Sequence, residues 1–155
     1  MADQISDALQ QALETVLSNI QHEMASRSSS ASEVLLDAKT LVFRGRRSGH
    51  RYRVPGTRRF YTASAPGEVP AARTGNFRSN WKKKVSVDKS GDNRDIHIGI
   101  VNEVKTQSGN YLLGEILENG TRKMAPRPYQ QKILDRAEPK IIKIYAADYL
   151  RGDSK

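Results

Sequence analysis

The chain of 155 residues has no cysteine, which excludes disulfide bonds and metal sites built on thiolates. Its three histidines, His22, His50 and His97, are scattered without the spacing of metal ligands. No apolar run approaches the length of a membrane span, and the first residues lack the basic and apolar regions of a secretion signal. We therefore expect no metal site, no membrane contact and synthesis in a cytoplasm.

Sequence patterns of catalysis are also missing. Gly45 and Gly49 lie close together, but the GxxxxGK[ST] pattern of a phosphate-binding loop is absent. Asp92 and Asp95 fall in a predicted turn, where a solvated role is more common than acid–base catalysis. We expect that the protein is not an enzyme, and we assign no catalytic residue and no cofactor.

Apolar residues are scarce, at 37% of the chain, while 28% of the residues are charged. A chain of this length is typical of one domain, so we expect a single domain that spans residues 1–155. Its core should be thin, because the apolar fraction lies below that of an ordinary globular protein. Stability is then expected to be shared with neighbouring subunits.

Positive charge is concentrated in one segment. The net charge is +9, and between Thr40 and Lys84 twelve lysines and arginines accompany one acid, Glu68, which gives this segment +11 and leaves −2 for the rest. Nine of the twelve are arginines, which suit bidentate contacts with phosphate or carboxylate groups. The segment is compatible with sequence-independent contacts to nucleic acid, and a solvated charged face is the simpler alternative.

The strongest periodic pattern lies at the N-terminus and predicts a helix within residues 1–43. Apolar residues recur there at spacings of three and four, and after the polar residues from Arg27 onward the same phase resumes at Ala31, Leu35, Ala38 and Val42. We predict one long helix, with two helices that meet at the polar run as the alternative. The first apolar stripe comprises Ile5, Ala8, Leu9, Ala12, Leu13, Val16, Leu17, Ile20 and Met24.

The middle of the chain predicts irregular and β structure. Residues 44–81 are predicted to form a long basic loop rich in proline and glycine. Its first part, Arg44–Thr62, has no period and predicts an extended loop or a short hairpin. Residues 82–101 alternate apolar and polar side chains around a turn at Ser90–Asn93, which predicts a β-hairpin. The predicted buried face of this hairpin is Val85, Val87, Ile96, Ile98 and Ile100.

Residues 111–150 predict the C-terminal helices. The first helix should end at Asn119 and Gly120, the next should have Pro128 in its first turn, and Glu138 with Pro139 should mark a break or a new start. The whole pattern predicts an α+β fold: a long N-terminal helix, a small antiparallel β-sheet with a long basic loop, and C-terminal helices packed on the sheet. Four aromatic residues are expected in the core rather than at an interface: Phe77, Trp81, Tyr111 and Tyr129.

Two stretches, GHRYRVPGTRRFYTASAPGEVPAARTGNFRSNW (Gly49–Trp81) and LENGTRKMAPRPYQQKIL (Leu117–Leu134), carry a family resemblance. Together they resemble the neck or tail-completion proteins of long-tailed bacteriophages, in which an "ASAPGE-PA-TG-L-S" loop precedes a hairpin and an "E-GT-M-RP" element leads into the last helices. Asn119 departs from the aromatic or apolar residue common in that family. The second motif falls on Glu118, Gly120, Thr121, Met124, Arg127 and Pro128.

The resemblance implies a structural virion protein, assembled in the cytoplasm of a bacterial host. It implies a homo-oligomeric ring, sixfold to match the tail, between a head-side connector or stopper protein and a tail terminator or tail-tube protein, with a channel for double-stranded DNA. Residues expected to contact DNA in the lumen or another ring are Arg44, Arg46, Arg47, Arg51, Arg53, Arg58 and Arg59. Residues expected at the subunit interface are Pro66, Gly67, Glu68, Pro70, Arg73, Thr74 and Gly75.

Two other functions are compatible with the sequence. One is a tail terminator or tail-tube subunit of the same particle, which the sequence barely distinguishes from a neck protein. The other is a free, non-specific nucleic-acid-binding protein, which the composition favours but the proline- and glycine-rich motif does not.

Overall fold

The computed structural model describes residues 2–90 and 93–149. Both sheets are two-stranded and antiparallel, and the larger sheet and the last helix pack against the long first helix. The predicted α+β fold is confirmed, with two small sheets instead of one. The elements in chain order are α1 (Ala2–Arg44), β1 (Arg51–Arg53), β2 (Phe60–Thr62), α2 (Asn76–Ser79), β3 (Lys82–Ser90), β4 (Asn93–Val101), α3 (Leu113–Asn119) and α4 (Gln130–Ala146).

Helix α1 is continuous through the polar run, so the prediction of one long helix is confirmed. The hydroxyl of Ser28 donates to the carbonyl of Met24 at 2.7 Å, and that of Ser32 donates to the carbonyl of Ser28 at 2.9 Å. These bonds satisfy the buried hydroxyls within the helix itself. Ser28, Ala31 and Ser32 are buried and small, which allows α4 to pack closely on α1.

The core lies where the C-terminal half of α1, residues 69–81 and the start of α4 meet. Leu35, Ala38, Val69, Ile133 and Ala137 form its aliphatic part. The rest is a cluster of aromatic rings whose centroids lie 5.5 to 6.1 Å apart in edge-on or tilted arrangements, a favourable geometry for aromatic pairs. Its members are Phe43, Phe77, Trp81 and Tyr129. The predicted core position of Tyr111 is wrong, because this residue is exposed.

The β3–β4 hairpin is confirmed, with its predicted turn partly at residues 91–92, outside the described residues. Its base packs on the core through Ile98 and Ile100. Val85 and Val87 are 47% and 48% exposed, so the prediction that they are buried is wrong. Each strand has nine residues and is about 30 Å long, so the hairpin extends beyond the core. The half of the hairpin near its turn presents an apolar face that the chain leaves uncovered.

Helix α4 runs without interruption through Pro139, so the predicted break at Glu138 and Pro139 is wrong. A proline removes the hydrogen bond to the carbonyl four residues earlier, here that of Asp135. Both residues are exposed, so water can satisfy this carbonyl, while Ala137 on the opposite side stays packed against the core. Pro128 lies two residues before α4 begins, not in its first turn.

Candidate functional site

A basic cleft of about 810 Å³ opens between the β1–β2 hairpin, residues 70–78 and α3. No aspartate or glutamate is among the described residues that line this cleft. Tyr52 and Tyr61 form one wall, with their rings stacked at a centroid distance of 5.8 Å. A lining of one charge sign attracts an anionic group such as a phosphate or a carboxylate. Its cationic residues are Arg73, Arg78, Lys105 and Arg127, with His50 beside them.

The β1–β2 hairpin confirms the prediction of a loop or short hairpin for Arg44–Thr62. We call its strands and their turn, Arg51–Thr62, the basic ribbon. Two of its arginines have contacts within the ribbon. The guanidinium of Arg51 lies 4.7 Å from the ring centre of Phe60, and the Nε of Arg53 donates to the carbonyl of Thr57 at 2.9 Å. Six of the seven predicted arginines are exposed on or near the ribbon: Arg44, Arg46, Arg51, Arg53, Arg58 and Arg59.

Arg47, the seventh, is half-buried and has a structural position. Its guanidinium donates to the carbonyls of Phe43 at 3.1 Å, Gly45 at 2.7 Å and Pro70 at 3.4 Å. A cation at the C-terminal end of a helix satisfies otherwise free carbonyls and interacts favourably with the helix dipole. Arg47 therefore caps α1 and fastens it to residue 70.

Arg78 lies close to Arg47 in a second basic cavity, of about 400 Å³. Burial and the nearby positive charge of Arg47 both lower the pKa of Arg78, and burial lowers the pKa of Arg47. The Nε atoms of both residues are buried without a hydrogen-bond partner among the described residues. A bound anion in this cavity would reduce the repulsion between the two guanidinium groups.

Glu68, the one acid of the basic segment, is bound within its own chain. Its carboxylate accepts hydrogen bonds from the hydroxyl of Ser48 at 2.6 Å, the amide of Ser48 at 3.1 Å and the amide of Ala65 at 2.9 Å. Chiefly the Ser48 hydroxyl, and with it the two amides, lowers the pKa of Glu68 to about 2. Glu68 thus ties the two ends of the β1–β2 hairpin region together.

The segment predicted at the subunit interface is fixed on the body of the protein. The amide of Gly67 donates to the carbonyl of Pro126 at 3.1 Å, Lys132 Nζ donates to the carbonyl of Gly67 at 3.0 Å, and buried Ser64 donates to the carbonyl of Val69 at 2.8 Å. These bonds shape the segment without any partner chain. Four of the seven predicted residues, Pro66, Gly67, Arg73 and Thr74, are exposed, Glu68 and Gly75 are half-buried, and Pro70 is buried.

The second motif connects α3 to α4. The carboxylate of Glu118 accepts the amides of Tyr129 at 2.9 Å and Gln130 at 3.3 Å, so it caps the start of α4. Gly120 has φ +74°, and a side chain there would lie 2.6 Å from the carbonyl of Met124. Thr121 and Met124 exchange backbone hydrogen bonds of 2.8 and 3.1 Å in a tight turn.

The last two residues of this motif lead toward the cleft. The backbone amide of Arg127 donates to the carbonyl of Leu117 at 2.8 Å, and Arg127 lines the basic cleft. Pro128 is half-buried immediately before the capped start of α4. Most of the motif therefore maintains the fold, and Arg127 is its contribution to the cleft.

Sequence reasoning did not assign two cationic residues of the cleft, Arg78 and Lys105. Arg78 had a signal, because it belongs to the basic segment between Thr40 and Lys84. The sequence contains no signal for Lys105, because this residue follows the β3–β4 hairpin and lies outside the basic segment. It lines the cleft because α3 packs beside it in the folded chain.

Comparisons with family models, with curated proteins and with solved structures found no match for this chain. Within residues 2–90 and 93–149, no helix has the length and apolarity required to cross a membrane. The same described residues contain no cluster of three or more histidine, aspartate or glutamate side chains arranged to hold a metal ion.

Proposed function

We propose that this protein is a non-enzymatic structural subunit of a tailed-phage virion that forms a ring in the neck. The ring joins the head connector to the tail and leaves a channel for double-stranded DNA. One observation supports this proposal above the others. The basic cleft and ribbon present dense positive charge, with no acid among the described residues of the cleft lining, on a chain whose first helix projects an acidic, apolar surface.

Two unlike surfaces on one subunit are what a closed ring requires. Head-to-tail contacts between identical subunits join one patch to a different patch, and they close into a ring when the rotation permits. The family resemblance of Gly49–Trp81 and Leu117–Leu134 points to the neck as the place of that ring. The thin apolar core is compatible with stability gained through assembly.

The exposed arginines give the ring its proposed contact with DNA. Contacts of arginine with phosphate are independent of base sequence and weaken with salt, because each one releases counterions from the duplex. DNA can then pass through the channel without being held at one sequence. Arg44, Arg46, Arg51, Arg53, Arg58 and Arg59 are the residues proposed for this contact, and Arg47 supports their position.

The test is co-expression of the protein with the structural proteins encoded beside it, followed by electron microscopy and mass measurement of the complexes. The expected result is a ring bound to a connector on one side and a tail protein on the other. A protein that stays monomeric and binds neither partner contradicts the proposal. The same rings should assemble when Arg46 and Arg58 are replaced by glutamate, while packaged DNA is delivered less efficiently.

A free nucleic-acid-binding protein is the second candidate. The acid-free cleft and its stacked pair Tyr52 and Tyr61 favour it, since bases stack on aromatic side chains in proteins that bind single strands. A salt titration with duplex and single-stranded DNA separates the two candidates. Tight binding at physiological salt favours the free binder, and weak binding that disappears with salt favours the neck protein. A tail terminator or tail-tube subunit is separated from a neck subunit by the partners that it binds.

A further inference from the structure

The N-terminal part of α1 projects from the body of the protein. We call residues 5–24 the arm; they span about 30 Å at the usual helical rise. Every residue from Ile5 to Asn19 is exposed, including large apolar side chains such as Leu9 at 73% and Leu13 at 59%. A helix whose apolar stripe has no partner within its own chain is typical of an interaction surface.

The arm continues an interface that already exists in the fold. Its stripe has the same phase as the face of α1 that packs on α4 and on the β3–β4 hairpin. That packing begins at Arg27, whose guanidinium donates to the carbonyls of Ala147 and Asp148 and lies 3.9 Å from the ring centre of Tyr149. Arg27 therefore marks the end of the body. Met24 and Ile20 beyond it are half-buried, and from Leu17 to Ile5 the same apolar stripe is exposed.

Charge favours a contact between the arm and the body of another copy. The arm, residues 5–24, contains the acids Asp7, Glu14 and Glu23 and no lysine or arginine, a charge of −3, so the rest of the chain carries +12. Glu23 is paired with Arg27 of the body at 2.8 Å. Arms brought together would repel one another, whereas an arm and the positively charged body of another copy attract at long range. The groove itself is lined by Glu103 and Glu115, so the contact there would be apolar. The surface that covers the arm is thus expected on the body of another copy of this chain, not on a second arm.

An uncovered apolar surface of suitable kind lies on the β3–β4 hairpin and the groove beside it. Val85 pairs with Ile98 and Val87 with Ile96, which places these side chains on one face of the hairpin. Ile98 also lines a groove of about 510 Å³ between the hairpin and α4, together with Leu134, which is 51% exposed. We call Val85, Val87, Ile96, Ile98 and Leu134 the receptor face.

We propose that the arm of one copy of this chain docks on the receptor face of a second copy, and that this exchange joins successive subunits. The proposal rests on the proposed ring, for which it supplies the subunit contact. The apolar stripe of the arm would cover Val85, Val87 and Leu134. Each subunit then donates one arm and accepts another, which satisfies both uncovered surfaces.

The first test removes apolar side chains from the arm and leaves the body unchanged. In the variant Leu9→Gln with Leu13→Gln, helix propensity is nearly preserved, so the arm should remain helical. Its self-association constant, measured by sedimentation, should weaken about 100-fold. The matched control is Thr15→Gln with Ser18→Gln on the polar face, which should assemble as the unmodified protein does. Equal assembly of the two variants overturns the proposal.

The second test locates the contact. Because the chain has no cysteine of its own, single introduced cysteines report single contacts. Co-expressed chains with Val16→Cys and with Leu134→Cys, carrying different tags, should form mixed covalent dimers with a short bis-maleimide reagent. Dimers made only by Val16→Cys chains indicate pairing between arms and overturn the proposal, as does the absence of any mixed dimer.

The docking contact and the neck function fail in different ways. Loss of arm docking with binding to connector and tail proteins retained overturns the docking proposal alone. Arm-dependent assembly without any binding to those proteins supports the docking proposal and contradicts the neck function. Circular dichroism and Trp81 fluorescence of each variant verify that the body is folded.

Discussion

Gly120 offers the sharpest test of the structure. Its backbone has φ +74° and ψ −172°, a region that residues with a side chain seldom adopt, and a Cβ would lie 2.6 Å from the carbonyl of Met124 and 2.8 Å from the nitrogen of Pro126. Gly120→Ala would therefore meet both a conformational and a steric penalty. The conformational part is about 1–3 kcal/mol, and moving the backbone of the Thr121–Met124 turn adds about 1–3 kcal/mol.

Gly109→Ala is the matched control, because Gly109 has φ +76° but nothing lies within 4 Å of an added Cβ. It should lose only the conformational part, about 1–3 kcal/mol. The measurement is urea unfolding followed by fluorescence of Trp81, the one tryptophan, which lies in the aromatic cluster. Equal losses for the two variants would show that the close approach at Gly120 carries no energetic cost, and would refute this reasoning.

Three further predictions address the core, the pH response and the basic ribbon. Tyr129→Phe removes a buried hydroxyl that donates to the carbonyl of Gly114 at 3.1 Å, so the free energy of unfolding should fall by about 1 kcal/mol, measured by urea unfolding. Because folding lowers the pKa of Glu68 to about 2, its contribution to stability is present above pH 4.5 and is lost as the pH falls toward 2; Glu68→Gln should flatten this part of a pH–stability curve. Arg58→Gln with Arg59→Gln should reduce the slope of log affinity for duplex DNA against log salt by about 2, and an unchanged slope would remove the ribbon from the DNA contact.

The sequence predicted those parts of the fold that depend on local periodicity. The three–four spacing from Ile5 onward predicted α1, and alternation around Ser90–Asn93 predicted the β3–β4 hairpin, because each pattern matches the geometry of one element. It failed at Pro139, where the proline rule is local but the outcome depends on which side of α4 faces solvent. Tertiary packing, not the helix propensity of proline, determines that α4 continues through Pro139.

Burial and the cleft could not be predicted, because they depend on distant parts of the chain. Val85 and Ile98 share one pattern and one face, yet only the second reaches the core. Likewise Arg73, Lys105 and Arg127 meet at the cleft only after α3 and residues 70–78 have packed together. The apolar stripe on α1 has the same spacing whether α4 or another molecule covers it. Only the structure shows that the stripe is exposed near Leu9.

The unbroken course of α1 through Ser28 and Ser32 has a mechanical consequence. A helix has no joint where its backbone hydrogen bonds continue, so the arm and the aromatic core around Phe43 belong to one stiff rod. Over the roughly 30 Å of the arm, a tilt of about 1° at Arg27 moves the tip by about 0.5 Å. Any molecule held at the tip is therefore held at an angle set by the packing of α1 in the body, and small changes in that packing act on it as through a lever.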